Sequence, residues 1–266
     1  MPIRKHAAAA TLVLVRHPRL RLLLALPVAA LLAGCGATAR DAASQRPPAD
    51  APKCQSGPAP LGSSRMTVAA VVRSRAVAYR RPGRRPFARF GRLNVNRYPT
   101  VFRVLAAVRT SDCRTRWYRV QLPIKPNGVT GYVSARAVDT DRVHSRVLVD
   151  LSARKLTLFR NGRRVVRTSI AVGSPATPTP TGQFYVNQRL IPSDSSGPFG
   201  PAAIGISAYS TVLTGWTQGG PVAIHGTNEP WSIGRAVSNG CIRLRNDVLS
   251  RLFKATPAGT PVLIRS

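Results

Sequence analysis

Short runs of residues with high strand propensity, separated by turn sequences, restrict the fold of this chain more than any other feature. Thr67–Val72, Val101–Val104 and Trp117–Val120 are three such runs. Arg81-Pro82-Gly83 and Pro126-Asn127-Gly128 are turn sequences that interrupt the pattern. Short runs bounded by Pro, Gly and Asn are typical of strands joined by tight turns. The first half of the chain is therefore predicted to be a small β structure.

A second group of strands begins near Arg146. Residues 147–152 and 155–159 alternate between apolar and polar side chains, and residues 164–173 form a third run. Asn161-Gly162 lies between the last two runs, and Asn-Gly favours a two-residue hairpin turn because both residues tolerate positive φ. We expect a second β-rich domain to start here.

One segment near the end of the chain has the pattern of a helix. Asn246 is a plausible N-cap and Asp247 suits the first turn, where a carboxylate interacts favourably with the helix dipole. An apolar stripe with helical spacing follows at Val248, Leu249, Leu252 and Phe253. With this single late helix, the fold class is predicted to be mainly β.

The charge of the chain is strongly positive. Its 266 residues include 40 Lys and Arg against 9 Asp and Glu, a formal net charge of +31. The hydrophobic fraction of 44% argues against wholesale disorder, and the length allows one or two domains. Residues 60–120 alone contain 15 arginines and one acid. This segment is either a solvated surface or a patch that binds anionic cell-envelope polymers or a membrane surface.

The N-terminal region has the pattern of an export signal. Basic residues precede an apolar run from Leu22 to Leu32 that is too short to span a bilayer. The run ends in Leu32-Ala33-Gly34-Cys35, which resembles the bacterial lipobox, whose Cys is lipidated; an ordinary cleaved signal with a chance Cys is the alternative. We expect residues 1–34 to be a lipoprotein signal peptide and Cys35 to be the lipidation site. The protein would then be exported and anchored to the outer face of the cytoplasmic membrane, facing the cell wall, where nucleic acid is a poor partner.

The chemistry is concentrated in residues 224–244. His225 and Cys241 are 16 residues apart in this window, and Gly240 precedes the Cys. A thiol attacks as its thiolate, and an imidazole within hydrogen-bond reach lowers the thiol pKa by becoming the counter-ion. A zinc site would need a third and a fourth ligand, which no recognisable spacing supplies. We therefore predict a Cys–His nucleophilic site without metal or cofactor.

The motifs in and before this window resemble those of the L,D-transpeptidases of the YkuD type. His225-Gly226-Thr227, a spacer, and Ser238-Asn239-Gly240-Cys241-Ile242-Arg243-Leu244 match that family's active-site signature. The segment from Val172 to Phe184, with its Thr-Pro repeats and Gly182, is similar to the strand entry that precedes it. The resemblance covers about residues 146–265.

This resemblance implies a role for each central residue. Cys241 would be the nucleophile, His225 the general acid and base, and the Gly226 carbonyl the group that orients the imidazole. Backbone N–H groups of Gly240 and Cys241 would form the oxyanion hole. Many members carry His where this chain has Asn239, and an amide can shape the pocket but cannot transfer protons near neutral pH.

Three further residues are assigned to substrate binding together with Asn239. Arg243 either pairs with a substrate carboxylate or braces the loop, and we favour the second slightly. Ser238 and Thr227 are expected to support the loop by hydrogen bonds. Because the resemblance assigns Cys241 to catalysis, Cys54 and Cys113 remain as the predicted disulfide in an exported chain.

The segment before the catalytic domain has a second resemblance. The strand that begins at Trp117 and the one around Tyr132 are similar to the end of a bacterial Src-homology-3-like barrel. The resulting domain order is a signal peptide (1–34), a Pro- and Ala-rich tether (35–62), this barrel (63–142) and the catalytic domain (145–266).

The function implied is peptidoglycan L,D-transpeptidation. Cys241 would form an acyl-enzyme on the tetrapeptide stem, release D-Ala and transfer the acyl group to an amine, giving L,D cross-links for cell wall biogenesis. Two alternatives stay open: an L,D-carboxypeptidase or D-amino-acid exchange by the same acyl-enzyme, and a non-catalytic wall-binding lipoprotein. The stem peptides are the expected partner, and the oligomeric state is left open.

Overall fold

The computed structural model describes residues 56–213 and 215–266, which form eighteen strands and one α-helix. The prediction of a mainly β chain with a single late helix is confirmed. The predicted signal peptide, the lipidation site Cys35 and Cys54 lie outside the described residues. Cys113 is disulfide-bonded, and its pairing with Cys54 stays a prediction.

The first eight strands form one sheet in which every pair is antiparallel. The order is β4-β3-β7-β6-β5-β2-β8, and β1 pairs with β5 beside this path. The strands are β1 (Gly57–Pro60), β2 (Thr67–Val72), β3 (Arg75–Arg81), β4 (Arg84–Gly91), β5 (Val101–Arg109), β6 (Thr115–Gln121), β7 (Thr130–Ser134) and β8 (Val138–Val143).

Strand β1 differs from the prediction, because the tether was expected to extend to residue 62. Instead, Gly57–Pro60 pairs with the end of β5, from Ala106 to Arg109. Pro58 and Pro60 lack the N–H that a central strand needs, but an edge strand bonded on one side tolerates them. The Pro-rich composition therefore concealed a short edge strand.

Small aliphatic side chains and one phenylalanine fill the core of the first sheet. Phe102 is fully buried and packs edge-to-face against Phe90, with ring centroids 4.9 Å apart. Burying a side chain of this size contributes about 2 kcal/mol. The arginines of the hairpin formed by β3 and β4, by contrast, are exposed to solvent.

The second sheet contains both antiparallel and parallel pairs, in the order β11-β10-β9-β18-β13-β14-β15-β17. A separate parallel pair consists of β12 and β16. The strands are β9 (Ser145–Asp150), β10 (Lys155–Arg160), β11 (Arg163–Ser169), β12 (Val172–Gly173), β13 (Gly182–Leu190), β14 (Ala203–Tyr209), β15 (Pro221–His225), β16 (Ala236–Ser238), β17 (Ile242–Arg243) and β18 (Pro261–Arg265). The change from the first sheet to the second falls between Val143 and Ser145.

Local sequence determines much of this second sheet. Asn161 and Gly162 have positive φ, at 51° and 80°, and they join β10 to β11 as the predicted hairpin turn. One face of the sheet is covered by the only α-helix among the described residues, α1 (Asn246–Ala255). Leu249 and Leu252 of this helix are fully buried in the core.

The start of α1 corrects one expectation. Asn246 is the first helical residue and not the N-cap, and no side-chain hydrogen bond caps the helix. The Asn246 side chain instead accepts a hydrogen bond from the Thr227 N–H at 2.8 Å. The Asn246 side chain therefore stabilises the loop that contains Thr227 and does not cap its own helix.

Polar side chains join the two sheets. The hydroxyl of the fully buried Tyr185 donates to the Val101 carbonyl at 3.1 Å, and Gln121 Nε2 donates to the Gln183 carbonyl at 2.6 Å. The Asn127 side chain donates to and accepts from the backbone of Tyr209, at 2.8 and 2.9 Å. These bonds hold β13 and β14 against the first sheet.

Within the described part of the chain, no helix has the length and hydropathy needed to cross a membrane.

Candidate active site

His225 is the last residue of β15, and its side chain is 4% exposed. Its Nδ1 lies 2.6 Å from the carbonyl oxygen of Gly226. A carbonyl oxygen only accepts hydrogen bonds, so Nδ1 must carry the proton and Nε2 must hold the lone pair. The backbone therefore fixes the tautomer that a general base requires.

Cys241 lies immediately before β17, the parallel neighbour of β15. In this ladder Ile224 pairs with Ile242 and His225 pairs with Arg243. Because side chains alternate along a strand, Cys241 lies on the same face as Arg243 and His225, opposite the buried Ile224 and Ile242. The Cys241 side chain is partly exposed. The register thus brings the predicted nucleophile and base together at one sheet edge.

The Ser238 hydroxyl bridges the two ends of the turn before Cys241. Ser238 Oγ accepts the Gly240 N–H at 3.2 Å and donates to the Cys241 carbonyl at 2.5 Å. Gly240 has a φ of +101°, which strongly favours glycine. Ser238 Oγ thus competes with a substrate oxygen for the Gly240 N–H, and the role of Gly240 in an oxyanion hole stays a prediction. The Cys241 N–H, in contrast, forms no hydrogen bond with another described residue.

The Thr-Pro repeats between β12 and β13 also stabilise this turn by hydrogen bonds. Thr179 Oγ1 accepts the Gly173 N–H at 2.8 Å and donates to the Gly240 carbonyl at 3.0 Å. Thr177 Oγ1 donates to the Ser238 carbonyl at 2.9 Å. The segment that carried the second motif thus shapes the nucleophile turn and does not contribute a reacting group.

Arg243 braces the loop that follows the His-Gly-Thr motif. Its guanidinium pairs with the Glu229 carboxylate, in agreement with the bracing role that we favoured. Thr227 Oγ1 accepts the Glu229 N–H at 2.9 Å, so Thr227 also supports this loop as expected. The Asn239 side chain is exposed, and its role in the pocket stays a prediction.

Burial moves the pKa values of the two predicted reacting groups in opposite directions. It lowers the pKa of His225 to about 4, against a hydrogen bond to Gly226 that raises this pKa; the nearby Arg243 cation lowers it further. Burial also raises the pKa of the Cys241 thiol, while a hydrogen bond from the Ala223 backbone and Arg243 oppose this. We expected an imidazolium that lowers the thiol pKa. The site instead favours a neutral thiol beside a neutral imidazole.

Comparison with known proteins shows the family of this chain. The catalytic domain family of the L,D-transpeptidases matches residues 144–264. YqjB of Bacillus subtilis, a protein assigned to the L,D-transpeptidases, is 34% identical over 128 residues, which cover 44% of this chain and 69% of YqjB. The chain belongs to the L,D-transpeptidase family.

Other similar proteins cover the same part of this L,D-transpeptidase. YkuD of Bacillus subtilis is 42% identical over 118 residues, which make up 44% of this chain and 64% of YkuD. The match thus spans slightly less than two thirds of that relative. The NMR structure of the catalytic domain from E. faecium L,D-transpeptidase is 27% identical, with 46% of this chain and 96% of that chain covered and a TM-score of 0.34.

Two site residues of this L,D-transpeptidase were missed by the sequence analysis. The Phe199 ring packs edge-to-face against the His225 imidazole, with centroids 4.9 Å apart, and is 48% exposed. The Gly226 N–H donates to the Phe199 carbonyl at 2.9 Å. Asn246 holds the next residue, Thr227, from the other side. The flanking glycines Gly197 and Gly200 were the available signal for a tight loop, but only the fold brings that loop to His225.

Proposed function

We propose that the chain is a peptidoglycan L,D-transpeptidase that works through a thioester on Cys241. The substrate is the tetrapeptide stem of peptidoglycan, cut between meso-diaminopimelate and the terminal D-Ala. Support comes from the family membership and from the arrangement of Cys241 beside His225, whose free nitrogen is fixed by Gly226.

In the first half-reaction the Cys241 sulfur bonds to the carbonyl carbon of the scissile amide. The thiol proton moves to Nε2 of His225 in the same step, because a neutral pair holds no preformed thiolate. The carbon–nitrogen bond then breaks. The imidazolium returns its proton to the departing amine of D-Ala, and the acyl group remains on sulfur as a thioester.

In the second half-reaction an amine of a neighbouring stem attacks the thioester carbon. The amine loses a proton to Nε2 of His225, the carbon–sulfur bond breaks, and the thiolate takes that proton back. An amide cross-link and a neutral dyad result. We propose that the Cys241 N–H binds the oxyanion in both halves, since the Gly240 N–H already donates to Ser238 Oγ.

The observation that carries the proposal is the hydrogen bond from His225 Nδ1 to the Gly226 carbonyl, which leaves Nε2 as a base on the face that also holds Cys241. The test is incubation of the purified protein with tetrapeptide muropeptides, followed by mass spectrometry. We expect loss of D-Ala and formation of a cross-linked dimer. Release of D-Ala without a dimer would identify water as the acceptor, and an unchanged substrate would contradict the proposal.

We further propose where the enzyme acts. The basic n-region and the lipobox-like sequence before Cys35 support a lipoprotein on the outer face of the cytoplasmic membrane. The first sheet would be the Src-homology-3-like module, and its exposed arginines would bind anionic envelope polymers. Detergent partitioning and intact mass test the anchor. A Cys35→Ala protein that still fractionates fully with membranes would contradict it.

A further inference from the structure

A cleft lies between the two sheets, away from the dyad. It has a volume of about 370 Å³ and is lined by the loop between β4 and β5 and by residues of β13, β14 and the start of β15. Small-molecule sites of proteins occupy a few hundred cubic ångströms and occur preferentially at such boundaries. The cleft therefore has the size and the position of a ligand site.

Side-chain amides are concentrated in this cleft. The chain has eight Asn and six Gln, and five of these fourteen residues line it: Asn94, Asn96, Asn187, Gln188 and Gln218. Phe90 and Tyr209 contribute aromatic surface, and Arg89 is the only charged side chain of the lining, although the chain has 40 Lys and Arg. Such a surface suits a neutral ligand with many hydroxyl and amide groups better than a polyanion.

Four of the amides hold one another in place. Gln188 Oε1 accepts from Asn94 Nδ2 at 3.0 Å and from Asn96 Nδ2 at 2.9 Å. Gln218 Nε2 donates to Asn96 Oδ1 at 2.9 Å. The fifth amide differs, since the buried Asn187 Oδ1 has no hydrogen-bond partner among the described residues. A buried acceptor without a partner is costly, and a ligand donor would satisfy it.

The cleft is on the same sheet face as the dyad. Pro221, Ala223 and His225 alternate along β15 with Val222 and Ile224, which point into the hydrophobic core. Pro221 lines the cleft, and His225 is the base at the other end of the strand. These two ends are four residue-to-residue steps apart, which corresponds to about 13 Å along the strand.

We propose that this cleft binds the glycan of the polymer whose stem peptide reaches Cys241, an inference that rests on the proposed function. The glycan consists of amino sugars with hydroxyl and N-acetyl groups, which amides can bind and on which aromatic rings can stack. A stem of four residues spans at most about 14 Å when extended. A sugar held beside Pro221 thus places the end of its own stem at His225 and Cys241.

The first test measures glycan binding directly, independently of catalysis. An N-acetylglucosamine tetramer is titrated into the protein in a calorimeter, with Asn187→Leu as the variant. We expect binding to the unchanged protein and about tenfold weaker binding to the variant, because the leucine removes the unsatisfied acceptor at nearly constant volume. Gln183→Leu, at an exposed amide on the same strand, is the matched control and should bind as the unchanged protein does.

The second test compares two substrates. Asn187→Leu should raise KM about tenfold for a tetrapeptide carried on a tetrasaccharide and leave KM for the free tetrapeptide unchanged. Carbapenem acylation of Cys241 and the melting temperature check that the variant is folded. If Asn187→Leu does not fold, Val95→Arg at the exposed rim of the cleft replaces it.

The outcomes separate the two proposals. Tetramer binding that Asn187→Leu weakens supports the glycan site even if no cross-link forms, in which case the proposed function fails alone. Absence of tetramer binding overturns the glycan site, and so does a KM that rises equally for both substrates.

Discussion

The proposed base and the proposed nucleophile of this L,D-transpeptidase are held in different ways. His225 lies at the end of a strand, and its orientation depends on a backbone carbonyl. Cys241 lies after a turn whose shape depends on side-chain hydroxyls, above all Ser238 and Thr179. A backbone acceptor cannot be deleted by substitution, whereas a hydroxyl can. The base should therefore be robust to mutation of its neighbours, and the nucleophile should be sensitive.

The largest effects are expected from the reacting groups themselves. Cys241→Ala should abolish acylation, and Cys241→Ser should be nearly as inactive because a hydroxyl is much harder to deprotonate than a thiol. His225→Ala should lower the acylation rate by about 10²–10⁴-fold, the usual contribution of general acid–base catalysis. Stopped-flow acylation by a carbapenem measures all three, with melting curves as the control for folding. A His225→Ala protein within tenfold of the unchanged rate would contradict the role of His225 as base.

The buried imidazole should also make stability depend on pH. The pKa of His225 is about 4 in the fold and 6.5 ordinarily, so the unfolded chain binds the proton first as the pH falls. The contribution is complete above pH 6.5 and is lost as the pH falls to about 4, in total about 3 kcal/mol. Urea unfolding across this range measures the loss. His225→Asn should remove most of the slope, and an unchanged slope in that variant would assign the effect to other groups.

Removing the hydroxyl that bridges the nucleophile turn should have an intermediate effect. Ser238→Ala deprives the buried Gly240 N–H of its acceptor and the Cys241 carbonyl of its donor, which should cost about 1–3 kcal/mol of unfolding free energy. We also expect slower acylation, since the turn positions the sulfur. Ser250→Ala, at an exposed helical serine, is the matched control and should change stability by less than about 0.5 kcal/mol. Equal effects of the two variants would show that the turn does not depend on Ser238.

The smallest effect is expected at the residue next to that turn. Asn239 is exposed, and Asn239→Ala should remove at most a neutral hydrogen bond to substrate, about 1 kcal/mol or less than tenfold in rate. The same acylation assay measures it. If Asn239→Ala were as inactive as His225→Ala while still folded, the division between base and pocket residue would be wrong.

Local patterns predicted the parts of this molecule that depend on local physics. Asn161-Gly162 specifies a hairpin because few other dipeptides tolerate two positive φ angles, and the apolar stripe of α1 was readable from its spacing. The Cys–His pair could be named because the sequence contains only four histidines and His225 alone lies in the motif window of residues 224–244.

Long-range contacts explain what the sequence did not reveal. Phe199 is 26 residues before His225 and reaches it through the pairing of β14 with β15. Asn246 has the pattern of an N-cap, but its side chain accepts a hydrogen bond from Thr227, in a loop that only the tertiary fold brings close. The direction of the two pKa shifts depends on burial, which no spacing of residues encodes.

The parallel pairing of β15 with β17 has a consequence for how such an enzyme can change. The strand pairing of β15 with β17 fixes both ends of the segment from Gly226 to Gly240. The length of this segment therefore does not determine the relative positions of the Cys241 sulfur and the His225 imidazole. Doubling the length of a flexible loop costs only about 0.6 kcal/mol of closure entropy. Insertions near Pro230 and Trp231 would therefore remodel the entrance to the site while the reacting atoms keep their places. New substrate preferences can be acquired in this segment without rebuilding the chemistry.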